Sequence, residues 1–238
     1  MMALPKLTTP TYELEIPSTD EKIKFRPFLV KEEKILMMAM ESKKSADIVQ
    51  AVKEIVEECT FNKINISDMP MFDIEYIFLQ IRSKSVGEVS KIRVLCPDDG
   101  KTYANLDLDL NEVKVQVGDD HTNKIELNNG MGIIMKYPTI DSFKESGIQD
   151  INASNMLEVI GGCILQIYEE EGKKVYDPKD QTKKELTDFI EQLTTEQFKH
   201  IQKFFDTMPK LKHEITVKNP KTKKDNKITL TGLNDFFE

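Results

Sequence analysis

Tyr12-Glu-Leu-Glu-Ile-Pro17, the polar turn Ser18-Thr-Asp-Glu21, Lys22-Ile-Lys-Phe-Arg-Pro-Phe28 and Leu29-Val-Lys-Glu-Glu-Lys-Ile-Leu-Met-Met-Ala-Met40 decide how this chain begins. Alternation puts Tyr12, Leu14 and Ile16 on one face of a first strand, and Ile23 and Phe25 on the matching face of a second. Glu13 and Glu15 on one strand and Lys22, Lys24 and Arg26 on the other face water, so opposite charges across the ladder set its register. Pro27 closes the second strand and a helix follows at once. The opening is therefore a β-hairpin feeding a helix, the signature of an α+β chain.

Outward from this start the period stays helical and then changes. Ser45 opens a second helix with Ile48, Val52, Ile55, Val56 and Cys59 on one stripe. Asp68-Met-Pro70 introduces a third, with Ile74, Ile77, Phe78 and Ile81 on one face and Gly87 as its stop. Ile92, Val94 and Cys96 then alternate with polar partners, Pro97-Asp-Asp-Gly100 turns, and Ala104, Leu106, Leu108 and Leu110 alternate in return, which predicts a β-hairpin. Shorter strands are expected at 113–117, 124–127 and 132–136, and Pro138 ends the first half.

In the second half the spacing predicts a short helical segment near Phe143 and a longer helix from Asn155 to Glu170, with Gly161-Gly162 inside it as a place of close backbone packing. Thr182-Lys-Lys-Glu185 and Thr194-Thr-Glu-Gln197 are capping boxes in front of two further amphipathic helices. A last hairpin pairs 214–218 with 227–230 across a lysine-rich loop. The expectation is α+β, about six helices packed with two or three antiparallel β-hairpins, in two lobes of similar plan. They divide as an N-terminal lobe at 1–138 and a helical lobe at 139–238 ending in the basic hairpin.

Composition narrows the function classes. At 238 residues, 39% hydrophobic and 31% charged, the chain can bury a substantial core. The longest apolar run, Ile35 to Met40, falls far short of the roughly 18 residues of a membrane span. Met1 to Thr9 lacks a secretory pattern, so synthesis inside the cell is expected. Cys59, Cys96 and Cys163 are read as reduced structural thiols. A net charge of −8 argues against a general nucleic-acid binder. Seven lysines against Glu214 and Asp225 make 208–227 locally +5, leaving −13 elsewhere. That tip either docks on an acidic partner or is a solvated loop that discourages edge pairing.

No covalent catalytic apparatus is visible: the sequence has no Gly-x-Gly-x-x-Gly, Walker loop, Gly-x-Ser-x-Gly or His-Glu-x-x-His. No enzyme activity and no cofactor are expected. Cys96-Pro-Asp-Asp99 and Asn219-Pro-Lys-Thr222 occupy places where zinc knuckles carry Cys-x-x-Cys, but three of four thiolates are replaced, so both are read as metal-free. Asp107, Asp109 and Asn111 fail as a calcium loop because Glu112 stands where glycine is required. His121, beside Asp119-Asp120, is expected on an exposed loop. Met37, Met38, Met40, Met69 and Met71 crowd the first third and suit an adaptable binding surface, but the preferred reading is that Met37 to Met40 exceed one face because their helix is buried on several sides.

Several stretches resemble a known family. Tyr12-Glu-Leu-Glu-Ile-Pro-Ser18, Phe25-Arg-Pro-Phe-Leu-Val-Lys-Glu-Glu-Lys-Ile-Leu36, Arg82-Ser-Lys-Ser-Val-Gly-Glu88, Cys96-Pro-Asp-Asp-Gly100, Met135-Lys-Tyr-Pro-Thr139 and Ile228-Thr-Leu-Thr-Gly-Leu-Asn-Asp-Phe-Phe237 follow one another in order along nearly the whole chain. They resemble the baseplate hub proteins of T-even-type contractile-tailed phages, that is, of myoviruses. The resemblance implies a hub assembly protein, a chaperone-like factor that binds other hub or tape-measure proteins in the host cytoplasm, without cofactor and without membrane. Two alternatives stay open: a structural hub subunit retained in the virion tail, and a small nucleic-acid binder built on degenerate zinc-ribbon hairpins. Candidate partner-binding residues are Arg26, Phe28, Lys221, Lys223, Lys224, Phe236 and Phe237. The oligomeric state stays open.

Overall fold

The structure, a computed structural model, describes residues 7–42, 44–127, 130–140, 142, 155–169 and 173–236. It divides into two compact units that do not follow the division after Pro138: the first comprises 1–66, 72–116 and 210–238, and the second 67–71 and 117–209. The final hairpin thus belongs with the opening of the chain.

The first unit begins with β1 (Tyr12–Glu15) and β2 (Lys22–Phe25), antiparallel, with Glu13 opposite Lys24 and Glu15 opposite Lys22 as charge pairing requires. Helices α1 (Val30–Ser42), α2 (Ser45–Cys59) and α3 (Met71–Val86) follow. In α3, Phe72 and Leu79 are buried as well as Ile74, Ile77, Phe78 and Ile81, so apolar contact surrounds more of the helix than one face. Gly87 stops it at φ +131°, a conformation that side-chain-bearing residues rarely adopt.

Strands β3 (Val89–Leu95) and β4 (Tyr103–Asp109) form the expected hairpin, with Ile92 opposite Leu106. β5 (Lys114–Gln116) pairs with β10 (Lys210–Lys218), which pairs in turn with β11 (Asp225–Thr231). This last hairpin is longer than expected, running in register from Lys212 opposite Thr231 to Lys218 opposite Asp225. The inner faces of both hairpins share one core with Leu79: Ile92, Val94, Leu108, Leu211, Ile215, Val217 and Leu230.

The second unit is a four-stranded antiparallel sheet, β6 (Lys124–Glu126), β7 (Gly132–Met135), β8 (Ile164–Glu169) and β9 (Lys174–Tyr176), with helices α4 (Met156–Gly162), α5 (Lys183–Glu191) and α6 (Thr195–Thr207). Both capping boxes form, Thr182 with Glu185 and Thr194 with Gln197. The long helix expected over 155–170 is instead a helix of two turns followed by a strand. Gly161 and Gly162 end the helix, and Ile164-Leu-Gln-Ile-Tyr168, rich in β-branched and aromatic residues, pairs with β7. A Cβ on Gly162 would meet nothing within 4 Å, so that glycine is not a point of close packing. Gly132 is: a Cβ there would lie 2.1 Å from the Tyr168 hydroxyl and 2.8 Å from the Ile125 carbonyl. The segment expected near Phe143 lies outside the described residues.

Candidate protein-docking surfaces

The structure sorts the candidate partner-binding residues into buried and exposed. Arg26 is buried: its guanidinium lies 2.9 Å from the Glu32 carboxylate and donates to the Pro27 carbonyl at 3.0 Å, while its backbone N–H donates to the Cys59 carbonyl. Glu32 is only 1% exposed, and its other oxygen accepts the Leu29 N–H at 2.7 Å at the start of α1. Burial works against the Glu32 charge, but hydrogen bonds from Arg26, the Leu29 N–H and Lys31 outweigh it and hold the carboxyl below its ordinary range. Arg26 therefore clamps the end of β2 to the start of α1 and the end of α2, and is not free for a partner. Phe28 is half-buried, with its N–H on the Ser85 hydroxyl. Phe236, read as a partner contact or as a residue packing over the hairpin, is wholly buried in the hairpin core, and the Ser90 hydroxyl donates to its carbonyl at 3.0 Å. Phe237 lies outside the described residues.

Lys221, Lys223 and Lys224 are exposed at the tip of the β10–β11 hairpin. Their turn is held by buried Asn219, whose side-chain carbonyl accepts the N–H groups of Lys221 (2.8 Å) and Thr222 (3.1 Å). The two knuckle-like turns, which the sequence pairs only as a degenerate four-ligand pattern, are joined in the fold by polar side chains. The Asp98 carboxylate accepts from the Asn219 amide at 2.7 Å and from the Thr222 hydroxyl, and the Asp98 N–H donates to the Asn226 side chain at 3.0 Å. Hydrogen bonds from Thr222 and Asn219 hold the Asp98 carboxyl below its ordinary range. Asp99 accepts from the Lys101 and Thr102 N–H groups and the Thr102 hydroxyl, closing its own turn. Among the described residues no group of three or more His, Cys, Asp or Glu is placed to hold a metal ion. The polar clasp between the turns joins the two hairpins in this chain.

His121 is not on an open loop but half-buried. Its ring nitrogens lie 2.9 Å from the Thr207 hydroxyl and 3.0 Å from the Tyr137 hydroxyl, and its ring packs against Phe204. Desolvation lowers its pKa.

The methionines reverse the preferred reading. α1 buries only Glu32 and Ala39, seven residues apart on one stripe. Val30, Met37, Met38 and Met40 are 80%, 58%, 61% and 51% exposed, and Ile35 is 36% exposed. Five apolar side chains thus stand in water on one 13-residue helix, when single exposed apolar residues are the ordinary case.

Residues 9–238 match the family model described as T4 bacteriophage base plate protein. The chain belongs to that family. Comparisons with curated proteins and with solved structures find no match. The exposed apolar residues of α1 and the lysine tip of the last hairpin are surface features of this baseplate protein. No helix among the described residues is long and apolar enough to cross a membrane. The α1 face was missed because an apolar run in a helix normally signals core. The run from Ile35 to Met40 is too continuous for one helical face, which fits a helix buried on several sides as well as one with apolar residues in water, and only the fold decides between them.

Proposed function

We propose that this baseplate protein is a non-enzymatic assembly factor for the central hub. In this reading it holds the tape-measure protein or another hub component by protein–protein contact in the host cytoplasm until the hub closes. The observation that carries the reading is the solvent-facing methionine surface of α1. Flexible, polarisable thioethers repack against different partner shapes and suit a contact that is made and later released. The lysine tip adds an electrostatic surface of opposite sign to the chain as a whole, which favours fast encounter with an acidic partner.

Quantitative mass spectrometry of infected-cell lysate and of purified particles tests it. Abundance in lysate with absence from particles is the expected result. A fixed small copy number in every particle would make the chain a resident structural subunit of the hub and would end the assembly-factor reading.

A further inference from the structure

The outer face of α1 carries charge in a specific order. Val30, Lys34, Met37 and Glu41 follow one another at helical spacings of four, three and four residues, on the side opposite buried Glu32 and Ala39. Lys34 and Glu41 are both exposed and seven residues apart, so about 10 Å separates them along the axis. Met37 and Met38 lie midway between them, and Met40 flanks the stripe. A partner that covers the methionines must also meet a cation toward one end and an anion toward the other.

We infer that α1 of a second copy is that partner, lying antiparallel across a two-fold axis near residues 37 and 38. In this arrangement Lys34 faces Glu41 of the copy and Glu41 faces Lys34 of the copy, while the methionines of both chains close the centre. The same surface serves both sides, as an isologous contact requires. Lys34 balances Glu41 on the stripe, while Lys31 is turned to Glu32 and Glu58, so the stripe itself is neutral and the overall −8 does not act against the pairing at the contact itself. One helix about 20 Å long buries less than a standard interface, so the dimer is weak and exchanges readily. A second copy thus shields the methionines until a baseplate component displaces it.

This inference rests on reading α1 as a docking face, but not on whether the chain leaves the particle. Sedimentation velocity of the full chain over a wide concentration range tests it. The expected result is a reversible monomer–dimer equilibrium that Met37→Ser/Met38→Ser abolishes. Lys34→Glu and Glu41→Lys each weaken it by about tenfold, because each sets like charges opposite one another twice. The double variant Lys34→Glu/Glu41→Lys restores affinity to within about twofold, which no general surface effect would do. A chain that stays monomeric at all concentrations overturns the inference, as does a dimer indifferent to these substitutions. Capture of a hub protein by a strictly monomeric chain through α1 would also overturn it, while leaving the assembly-factor reading standing.

Discussion

Arg26 shows how an exposed-looking cation becomes a structural one. Alternation along β2 assigns it to water, yet Pro27 turns the chain and delivers the guanidinium to Glu32, Cys59 and the Pro27 carbonyl. Replacing Arg26 by Met leaves the Glu32 carboxylate buried without its main partner, and chemical denaturation should show a loss of about 3 kcal/mol. The pH dependence follows from the direction of the Glu32 shift. A folded pKa below the ordinary glutamate value gives stability that is complete above the unfolded pKa and lost as pH falls through the folded one. Glu32→Gln should therefore flatten the acid side of the stability profile.

Glu75 has the opposite sign. Desolvation pushes its carboxyl up to about 7, against a hydrogen bond from the Leu233 backbone. The folded state then holds a proton that the unfolded state releases, so stability declines between the ordinary glutamate pKa and about 7 and levels off above it. Glu75→Gln should raise the melting temperature above pH 7 and leave it nearly unchanged at pH 4. An unchanged slope in that variant would assign the titration to another group.

At the scale of elements, the clasp between the two hairpin turns carries the sharpest tests. Asn219→Ala removes the acceptor of two backbone N–H groups and the donor to Asp98, and should cost about 1–3 kcal/mol without altering the helices. Cys96 is buried at the first turn, and the Asn219 side chain reaches both Asp98 and Asp99. Asp99→Cys, Asn219→Cys and Thr222→Cys together would complete four thiolates on two knuckles, and elemental analysis should then find one zinc per chain. Gly132→Ala, with its Cβ driven into Tyr168, should destabilise the second unit's sheet by about 1–3 kcal/mol.

Those elements also show what a single sequence makes legible. Both capping boxes, the opening hairpin with its Glu–Lys register, and the β3–β4 hairpin were readable because each is fixed by residues close in the chain. The switch from α4 to β8 was not, since Ile164, Ile167 and Tyr168 fit helical spacing and strand pairing alike, and only the neighbouring β7 decides between them. The clasp was invisible for a related reason: Asp98 and Asn219 are 121 residues apart, and nothing local marks them as partners. The candidate surface was half legible, with the lysine tip exposed as read and Phe236 withdrawn into the core.

At the scale of the whole molecule, charge decides between protein and nucleic acid as the target of the lysine tip. A local +5 on a chain of −8 gives a phosphate backbone little sustained attraction. The chain should show no binding to duplex DNA at low salt by fluorescence anisotropy. Binding that weakens steeply as salt is added would instead turn the tip into a nucleic-acid contact.

The discontinuous first unit sets an order of events during synthesis. Its helices and first hairpin leave the ribosome early, but β10, β11 and Phe236, which complete their core, are made only after the whole of 117–209. The second unit is continuous apart from five residues and can close while the first is still waiting. Until the last hairpin emerges, the inner face of β3–β4 has Leu79 of α3 against it but lacks Leu211, Ile215, Val217 and Leu230. Every ribosome translating this message therefore carries an unfinished core for the time it takes to build an entire unit, and any cut or stop codon upstream of β11 leaves that core open for good.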